Sequence, residues 1–316
     1  MRVLLAGGAG FIGSHLSEAL LARGDEVVAI DNLSTGRRTN VESILGHPGF
    51  ALIEADITNG LPSLPGKFDA VLDLASPASP DDFKTMPLEI LAVGSTGTRN
   101  LLDRAVMDGA RFFLASTSEV YGDPLVHPQP ETYWGNVSST GPRSCYDEAK
   151  RFSEALTMAY HRVHGLDVRI VRIFNTYGER MRPNDGRVVN TFVCQALRGE
   201  PITLHGDGQQ TRSFCHVSDE VRGLIALLDS DYNQPMNIGN PSEFTMRQLA
   251  ELVLELTGSS SAAITVPLPP EREGDPAQRR PDITLAKSVL SWEPSVTLRE
   301  GLTRMIDYFR SVEGIR

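Results

Sequence analysis

Arg2-Val3-Leu4-Leu5-Ala6 runs into Gly7-Gly8-Ala9-Gly10-Phe11-Ile12-Gly13, and the reading of this stretch decides the fold. The five-residue run reads as a buried strand. Gly7, Gly10 and Gly13 then recur at every third position, which suits a tight turn and a close approach of the backbone to a pyrophosphate. A helix from Phe11 to about Arg23 is expected next, with Gly24 as its stop. Its N-terminal N–H groups and dipole favour an anion. Glu26 to Ile30 reads as a second strand ending in Asp31, which lies 18 residues after Gly13. A carboxylate at that distance suits the adenosine ribose hydroxyls and repels a 2′-phosphate, so NAD is favoured over NADP. Arg37 and Arg38 are the nearby groups that could accept a 2′-phosphate.

Outward from this unit the alternation continues. Strands are expected at Phe50–Ala55, with Asp56 at its end as a partner for the adenine amino group, at Ala70–Ala75, at Arg111–Ala115 and at Asp167–Ile173. Helices are expected over Met86–Asp108, in spite of Gly94 and Gly97, and over Ser144–His164. The pattern predicts an α/β fold: a Rossmann-type doubly wound parallel sheet with a smaller, interleaved C-terminal substrate domain. Residues 1–177 would form the nucleotide-binding part and 178–316 most of the second, with a strand near 235–239 rejoining the sheet. Later elements are expected at Val188–Arg198 (helix), Pro201–His205 and Ser213–Val217 (strands), Thr245–Thr257 and Leu298–Arg310 (helices), with a Pro/Arg-rich loop over Pro267–Pro281.

In an open parallel sheet the ligand lies beyond the carboxyl ends of the strands. Arg111–Ala115 delivers Ser116, Thr117, Ser118 and Glu119 there. Tyr146 and Lys150, four apart on a helix, share a face, about 5–6 Å apart at Cβ. An ammonium beside a phenol favours the phenolate and lowers its pKa, which makes Tyr146 a base for a sugar hydroxyl. In the later loops Arg187, Arg212, Arg272, Arg279 and Arg280 stand out on an acidic chain. Guanidinium groups in loops facing the nucleotide domain suggest a second phosphate-bearing or carboxylate-bearing ligand.

Composition bounds these readings. The 316 residues carry a net charge of −10, which argues against a general nucleic-acid surface. Hydrophobic residues make up 41%, enough for a sizeable core. No apolar run approaches the ~20 residues of a membrane span, and the first apolar run is broken by glycines rather than shaped as a signal peptide. Cys145, Cys194 and Cys215 are odd in number and widely spaced, as for reduced thiols in a cytoplasm. His161 and His164 lack a carboxylate or cysteine partner pattern, so no metal site is expected.

The glycine turn and Tyr146-x-x-x-Lys150 resemble the extended short-chain dehydrogenase/reductases. More narrowly, Leu74-Ala75-Ser76-Pro77-Ala78-Ser79-Pro80, Ser116 to Pro124, Tyr133-Trp134-Gly135, Arg143-Ser144-Cys145-Tyr146-Asp147-Glu148, Arg172 to Gly178, Asp185-Gly186-Arg187 and Gly206 to Phe214 are similar to the UDP-glucuronate decarboxylases. The resemblance implies an enzyme that oxidises the C4 hydroxyl of the sugar with bound NAD, loses CO₂ from the resulting β-keto acid, reprotonates C5 and returns the hydride. It implies Tyr146 as base, Lys150 as its partner on the nicotinamide ribose, Thr117 on the reacting oxygen, Ser118 and Glu119 in decarboxylation and reprotonation, and Arg279 on the substrate. Gly7, Gly10, Phe11, Ile12, Gly13, Asp31, Asn32, Thr35, Gly36, Asp56, Ile57, Leu74, Ser76 and Thr176 would join Tyr146 and Lys150 around NAD. Asn175, Arg187, Arg212, Arg272 and Arg279 would hold a UDP- or TDP-linked glucuronate.

Related 4,6-dehydratases carry Asp-Glu after the threonine, because the Asp protonates a leaving hydroxyl, and the 4-epimerases generally lack the glutamate. Thr117-Ser118-Glu119 therefore favours decarboxylation; a uronate 4-epimerase, or a non-catalytic NAD-binding protein on the same fold, is the alternative. Three positions depart from the usual pattern: Asp73 stands for His, Gly94 for Asn and Ala149 for Gly, the first two bordering the cofactor and sugar pockets. The resemblance also implies a homodimer built from the Met86–Asp108 and Ser144–His164 helices.

Overall fold

The computed structural model describes residues 1–183, 185–267 and 278–315. Six parallel strands form most of the central sheet: β1 (Arg2–Ala6), β2 (Glu26–Asp31), β3 (Phe50–Glu54), β4 (Ala70–Asp73), β5 (Arg111–Thr117) and β6 (Val168–Ile173). Their order is β6-β5-β4-β1-β2-β3, and Pro235–Ile238 adds a seventh parallel strand beside β6, as the sequence predicts. The chain thus winds outward through β2 and β3, then returns to the other side of β1. That reversal opens a crevice at the carboxyl ends of β1 and β4, where ligands of such sheets bind.

Both faces are covered because side chains alternate along each strand. Val3 and Leu5 of β1 enter one core with Phe113 and Ala115 of β5; Leu4 and Ala6 enter the other with Phe112 and Leu114. On the first face lie α1 (Phe11–Ala22), through Leu16 and Leu20, and the helix Val217–Asp229. Leu101, Leu102 and Ala105 of the helix Thr98–Asp108 close the second. A third core joins Val193, Leu249 and Leu302 from the helices Val188–Leu197, Met246–Thr257 and Leu298–Ser311.

Some elements differ from expectation. The stretch foreseen as one helix over Met86–Asp108 is Pro87–Ala92, a π-helical segment Val93–Gly97, and Thr98–Asp108. Close packing makes the break: a Cβ on Gly94 would lie 2.8 Å from that of Ala149, and one on Gly97 would lie 2.9 Å from Ile57 Cδ1. The helices Pro80–Thr85, Val217–Asp229 and Thr284–Leu290 were not expected; the first opens with a Ser79–Asp82 capping box that the sequence does show.

The helix Ser144–His164, foreseen to the residue, is tied to the sheet by polar contacts. Lys150 Nζ donates to the Ala115 carbonyl at 2.8 Å, and Ser116 Oγ donates to Glu154 at 2.6 Å. Arg172 of β6 grips Glu154 through two nitrogens at 2.9 and 2.8 Å, with both side chains largely buried. Replacing Glu154 with Leu leaves Arg172 without its carboxylate. It should cost about 3–5 kcal/mol in denaturant unfolding, whereas exposed Glu255→Ala should cost far less.

Candidate active site

A cavity of about 570 Å³ lies along the carboxyl ends of the strands. One end is the glycine turn. Gly7 has φ +79°, and a Cβ there would lie 2.7 Å from the Leu74 carbonyl oxygen; on Gly13 it would lie 2.0 Å from the Gly7 carbonyl oxygen. Glycine is required at both places. α1 has no side-chain cap at Gly10, and Gly10, Phe11, Ile12 and Gly13 line the cavity. Uncapped N–H groups there suit a pyrophosphate. Thr35, Leu74, Ser76 and Thr176 line it too.

Asp31 sits at the end of β2, buried, its carboxylate accepting from Ala9 N–H at 3.0 Å and Leu33 N–H at 2.9 Å. Gly10 N–H also bonds this carboxylate, which leaves acceptor capacity for a ribose hydroxyl, and the Gly36 backbone lies against it, where a Cβ would come within 2.7 Å. Asn32 donates to Asp56 at 3.0 Å, and Ile57 is buried next to Gly97; these three, with Asp31 and Gly36, lie beyond the cavity wall. Arg37 is bound to Glu313 through both terminal nitrogens, at 3.1 and 2.7 Å, which takes it away from a 2′-phosphate. These residues fit NAD: a glycine cradle that no Cβ could share, an uncapped helix end and a carboxylate with capacity to spare.

At the other end Thr117 finishes β5, and Ser118–Tyr121 forms a 3₁₀ turn. Tyr146 and Lys150 face Thr117, Ser118 and Glu119 across the cavity. Phe83 stacks on the Tyr146 ring at 4.8 Å between centroids. The phenol pKa is raised, not lowered: burial, with Glu119 adding to it, pushes it up to about 12 against a Thr117 hydrogen bond. Lys150 itself is pushed down by burial, against the pull of Asp73 and Glu154, and one of its three donors goes to the Ala115 carbonyl. The i, i+4 spacing is correct, but the ammonium is turned to the Ala115 carbonyl and burial sets the phenol.

Glu119 is clamped. Arg279 reaches Oε1 at 2.5 Å and Arg143 reaches Oε2 at 2.7 Å. Burial alone would raise this carboxyl, but the two guanidinium groups outweigh it and hold the pKa at about 2. Arg279 also donates to the Gly122 carbonyl at 2.5 Å and lies 3.5 Å from Ser118 Oγ. Asn175 lines the cavity with its amide nitrogen buried and without a hydrogen-bond partner, so it can donate to a ligand. Arg187 and Arg212 line it as well, Arg187 donating to the Ala78 carbonyl at 3.2 Å. Arg280 does not join them; it pairs with Glu243 at 3.6 Å outside the cavity. Arg272 lies outside the described residues.

The sequence reading missed Arg143, Phe83, Arg182 and Asp147. Arg143 was legible as a cation three residues before Tyr146 on one helix face; Phe83 and Arg182 reach the site only through tertiary packing. Asp73 and Gly94 lie beneath the cavity rather than on its border: Asp73 is buried against Thr98 at 2.8 Å, and the Ala149 methyl abuts Gly94, so these two departures complement each other. Among the described residues no cluster could hold a metal ion.

Residues 4–305 match the family described as GDP-mannose 4,6 dehydratase. The chain is 52% identical over 311 residues to UDP-glucuronic acid decarboxylase 1 of Arabidopsis thaliana, covering 98% of this chain and 70% of that protein. It is 52% identical to UDP-glucuronic acid decarboxylase 5 of the same plant, covering 100% of this chain and 91% of that one. Among solved structures it resembles UDP-glucuronic acid 4-epimerase from Bacillus cereus in complex with UDP-glucuronic acid and NAD, with a TM-score of 0.86, 28% identity, and coverage of 99% of this chain and 100% of that one.

The Glu119 clamp has a signature in stability. Its folded pKa of about 2 lies below the ordinary 4.5, so its contribution is complete above 4.5 and is lost as pH falls toward 2. Glu119→Gln should cost about 3 kcal/mol in denaturant unfolding at neutral pH, and the gap to the unsubstituted chain should close in that acid window. A gap constant across it would show that the clamp does not hold the charge.

Proposed function

The chain belongs to the GDP-mannose 4,6-dehydratase family and, within it, to the UDP-glucuronic acid decarboxylases, and on that footing we propose that the cavity converts UDP-glucuronate to UDP-xylose and CO₂ with tightly bound NAD. One observation carries the reading: Tyr146 and Thr117 stand opposite an ionised Glu119 held by Arg143 and Arg279, with a hydroxyl, Ser118, where a dehydration would need an acid.

Gly7, Gly10, Gly13 and the start of α1 would hold the pyrophosphate, Asp31 the adenosine ribose, and Lys150 the nicotinamide ribose; Asn32, Thr35, Gly36, Asp56, Ile57, Leu74, Ser76 and Thr176 would complete that half of the site. When bound, the cofactor would supply a hydride acceptor and a positive charge. Burial alone keeps Tyr146 protonated, so it would act as the phenolate that the positive charge of the bound cofactor favours; in that form it takes the proton of the C4 hydroxyl, and Thr117, hydrogen-bonded to Tyr146, orients the same oxygen. The C4 ketone then lies β to the C6 carboxylate. The C5–C6 bond breaks, its electrons enter the ketone as an enolate, and protonated Tyr146 and Thr117 donate to that oxygen. Glu119 engages both guanidinium groups, so their charge stabilises the departing C6 carboxylate less, which favours its loss as neutral CO₂. C5 gains a proton, and Tyr146 returns its proton to the C4 oxygen as the ketone is reduced back to the alcohol.

Asn175, Arg187 and Arg212 hold the diphosphate, as does Arg272, while Arg279 faces the uronate. Val188 and Thr203 line the cavity and are the proposed neighbours of the base, with a thymine nucleotide the other donor to try. We place the enzyme in the cytoplasm as a homodimer. Cys145, Cys194 and Cys215 are buried and unpaired, and no helix among the described residues is long and apolar enough to cross a membrane. Leu88 at 74% exposure and Phe152 at 49% supply apolar surface on the two helices expected to pair.

Incubation with NAD⁺ and UDP-glucuronate should yield UDP-xylose and CO₂. UDP-galacturonate would instead indicate a 4-epimerase, and tight NAD binding without turnover a non-catalytic protein. Tyr146→Phe should retain NAD through purification and lose turnover by about 10²–10⁴-fold. Gly13→Ala should release NAD while leaving the Tyr146 helix folded, read by bound nucleotide and circular dichroism.

A further inference from the structure

Decarboxylation sets a requirement that the residues named so far do not meet. When the C5–C6 bond breaks, both electrons stay with the sugar, and C5 needs a proton to form its new C–H bond. Tyr146 cannot give it, because the proton it takes from the C4 hydroxyl must return to that oxygen when the ketone is reduced. One proton per turnover therefore enters from solvent. Glu119 cannot store it, since two guanidinium groups keep it ionised. Ser118 can pass a proton but not hold one.

A second cavity, of about 280 Å³, lies on the far side of Glu119. It shares Glu119 and Arg143 with the main cavity, and Asp123, Asn136 and Ser138 place polar groups on a wall that is otherwise largely apolar. That volume accommodates several waters at about 30 Å³ each. Asp147 faces it from the first turn of the Ser144–His164 helix, 6% exposed, with Oδ1 buried and without a hydrogen-bond partner. A buried carboxylate oxygen with no partner needs either a proton or water.

We infer that Asp147 is the proton store of this site: it is loaded from solvent through the second cavity and hands its proton, through water there and past Glu119 and Ser118, to C5. The inference rests on the decarboxylase reading above. The Asp147 O–H bond breaks as the C5–H bond forms at the far end of the water chain, and solvent restores the proton; no electrons are exchanged with any other group. The charges facing Asp147 are Glu119, Arg143, Arg279 and Glu148 of its own helix. Burial first, then Glu119, pushes its carboxyl up to about 7 against both arginines, so near neutrality it is both loaded and ready to give. It touches no reacting atom and acts through the water it protonates.

The test compares the full chain with Asp147→Asn and Asp147→Glu, using UDP-glucuronate and bound NAD. In the unsubstituted enzyme kcat should fall as pH rises through about 7. Asp147→Asn should lower kcat by about 10–100-fold with KM within about twofold, abolish that decline, enlarge the solvent deuterium isotope effect on kcat and raise the reduced-nicotinamide absorbance at steady state. Asp147→Glu should recover most of the rate. A kcat for Asp147→Asn within about twofold of the parent overturns the inference, as does a loss with the pH decline and isotope effect unchanged, which marks a structural role. Should Asp147→Asn fail to fold, the unsubstituted enzyme decides: a kcat flat from about pH 6 to pH 9 overturns the proton store. Absence of CO₂ release by that enzyme sinks the decarboxylase reading itself, whereas release with an indifferent Asp147→Asn sinks the proton store alone.

Discussion

A methyl group on residue 13 would lie 2.0 Å from the Gly7 carbonyl oxygen. That steric limit sets α1 directly against the end of β1, and everything at the carboxyl edge of the sheet follows from it. With the helix seated there, its uncapped first turn faces the crevice opened by the reversal between β1 and β4. β4 and β5 then end alongside, and β5 runs on to Thr117, so the reacting residues meet the same crevice from the opposite side. The Tyr146 helix is not held by apolar packing alone. Lys150 on the Ala115 carbonyl and the Ser116–Glu154–Arg172 network fix its height and rotation against β5 and β6.

The site is organised by how charge is shared among few groups. Glu119 uses two cations and remains ionised; its negative charge in turn makes ionisation harder for Tyr146 and Asp147. Three neighbouring acids from two separate elements are thereby held at about 2, 7 and 12. Acid and base roles separate when neighbouring groups are pushed apart in this way. None of the three would be so placed in water.

Much of this was legible beforehand, for identifiable reasons. The glycine spacing, the Asp31 interval and the alternation of strands are local patterns, and the seven-stranded parallel sheet matches them. The Ser144–His164 helix, with its Tyr146/Lys150 face, was legible to its ends because Gly165 stops it in a left-handed conformation. The arginines show the limit of such reading. Arg187, Arg212 and Arg279 converge on the cavity, while Arg280, the immediate neighbour of Arg279, turns away to Glu243. Successive residues in an extended loop point in opposite directions, and composition alone does not say which way. The π-helical segment escaped notice because its cause, Ala149 against Gly94, joins residues 55 positions apart.

Sequence by itself determined the fold class and singled out the glycine turn and the side chains that the proposed chemistry uses, since each rests on residue type and short spacing: glycines every third position, a carboxylate after the second strand, Tyr and Lys one helical turn apart. Tertiary structure decided protonation. Whether Lys150 acidifies Tyr146, whether Glu119 carries a charge and whether Asp147 carries a proton depend on burial and on Arg143 and Arg279 arriving from separate elements. Desolvation and Coulomb terms of opposite sign and similar size compete there, and only the three-dimensional arrangement fixes which prevails.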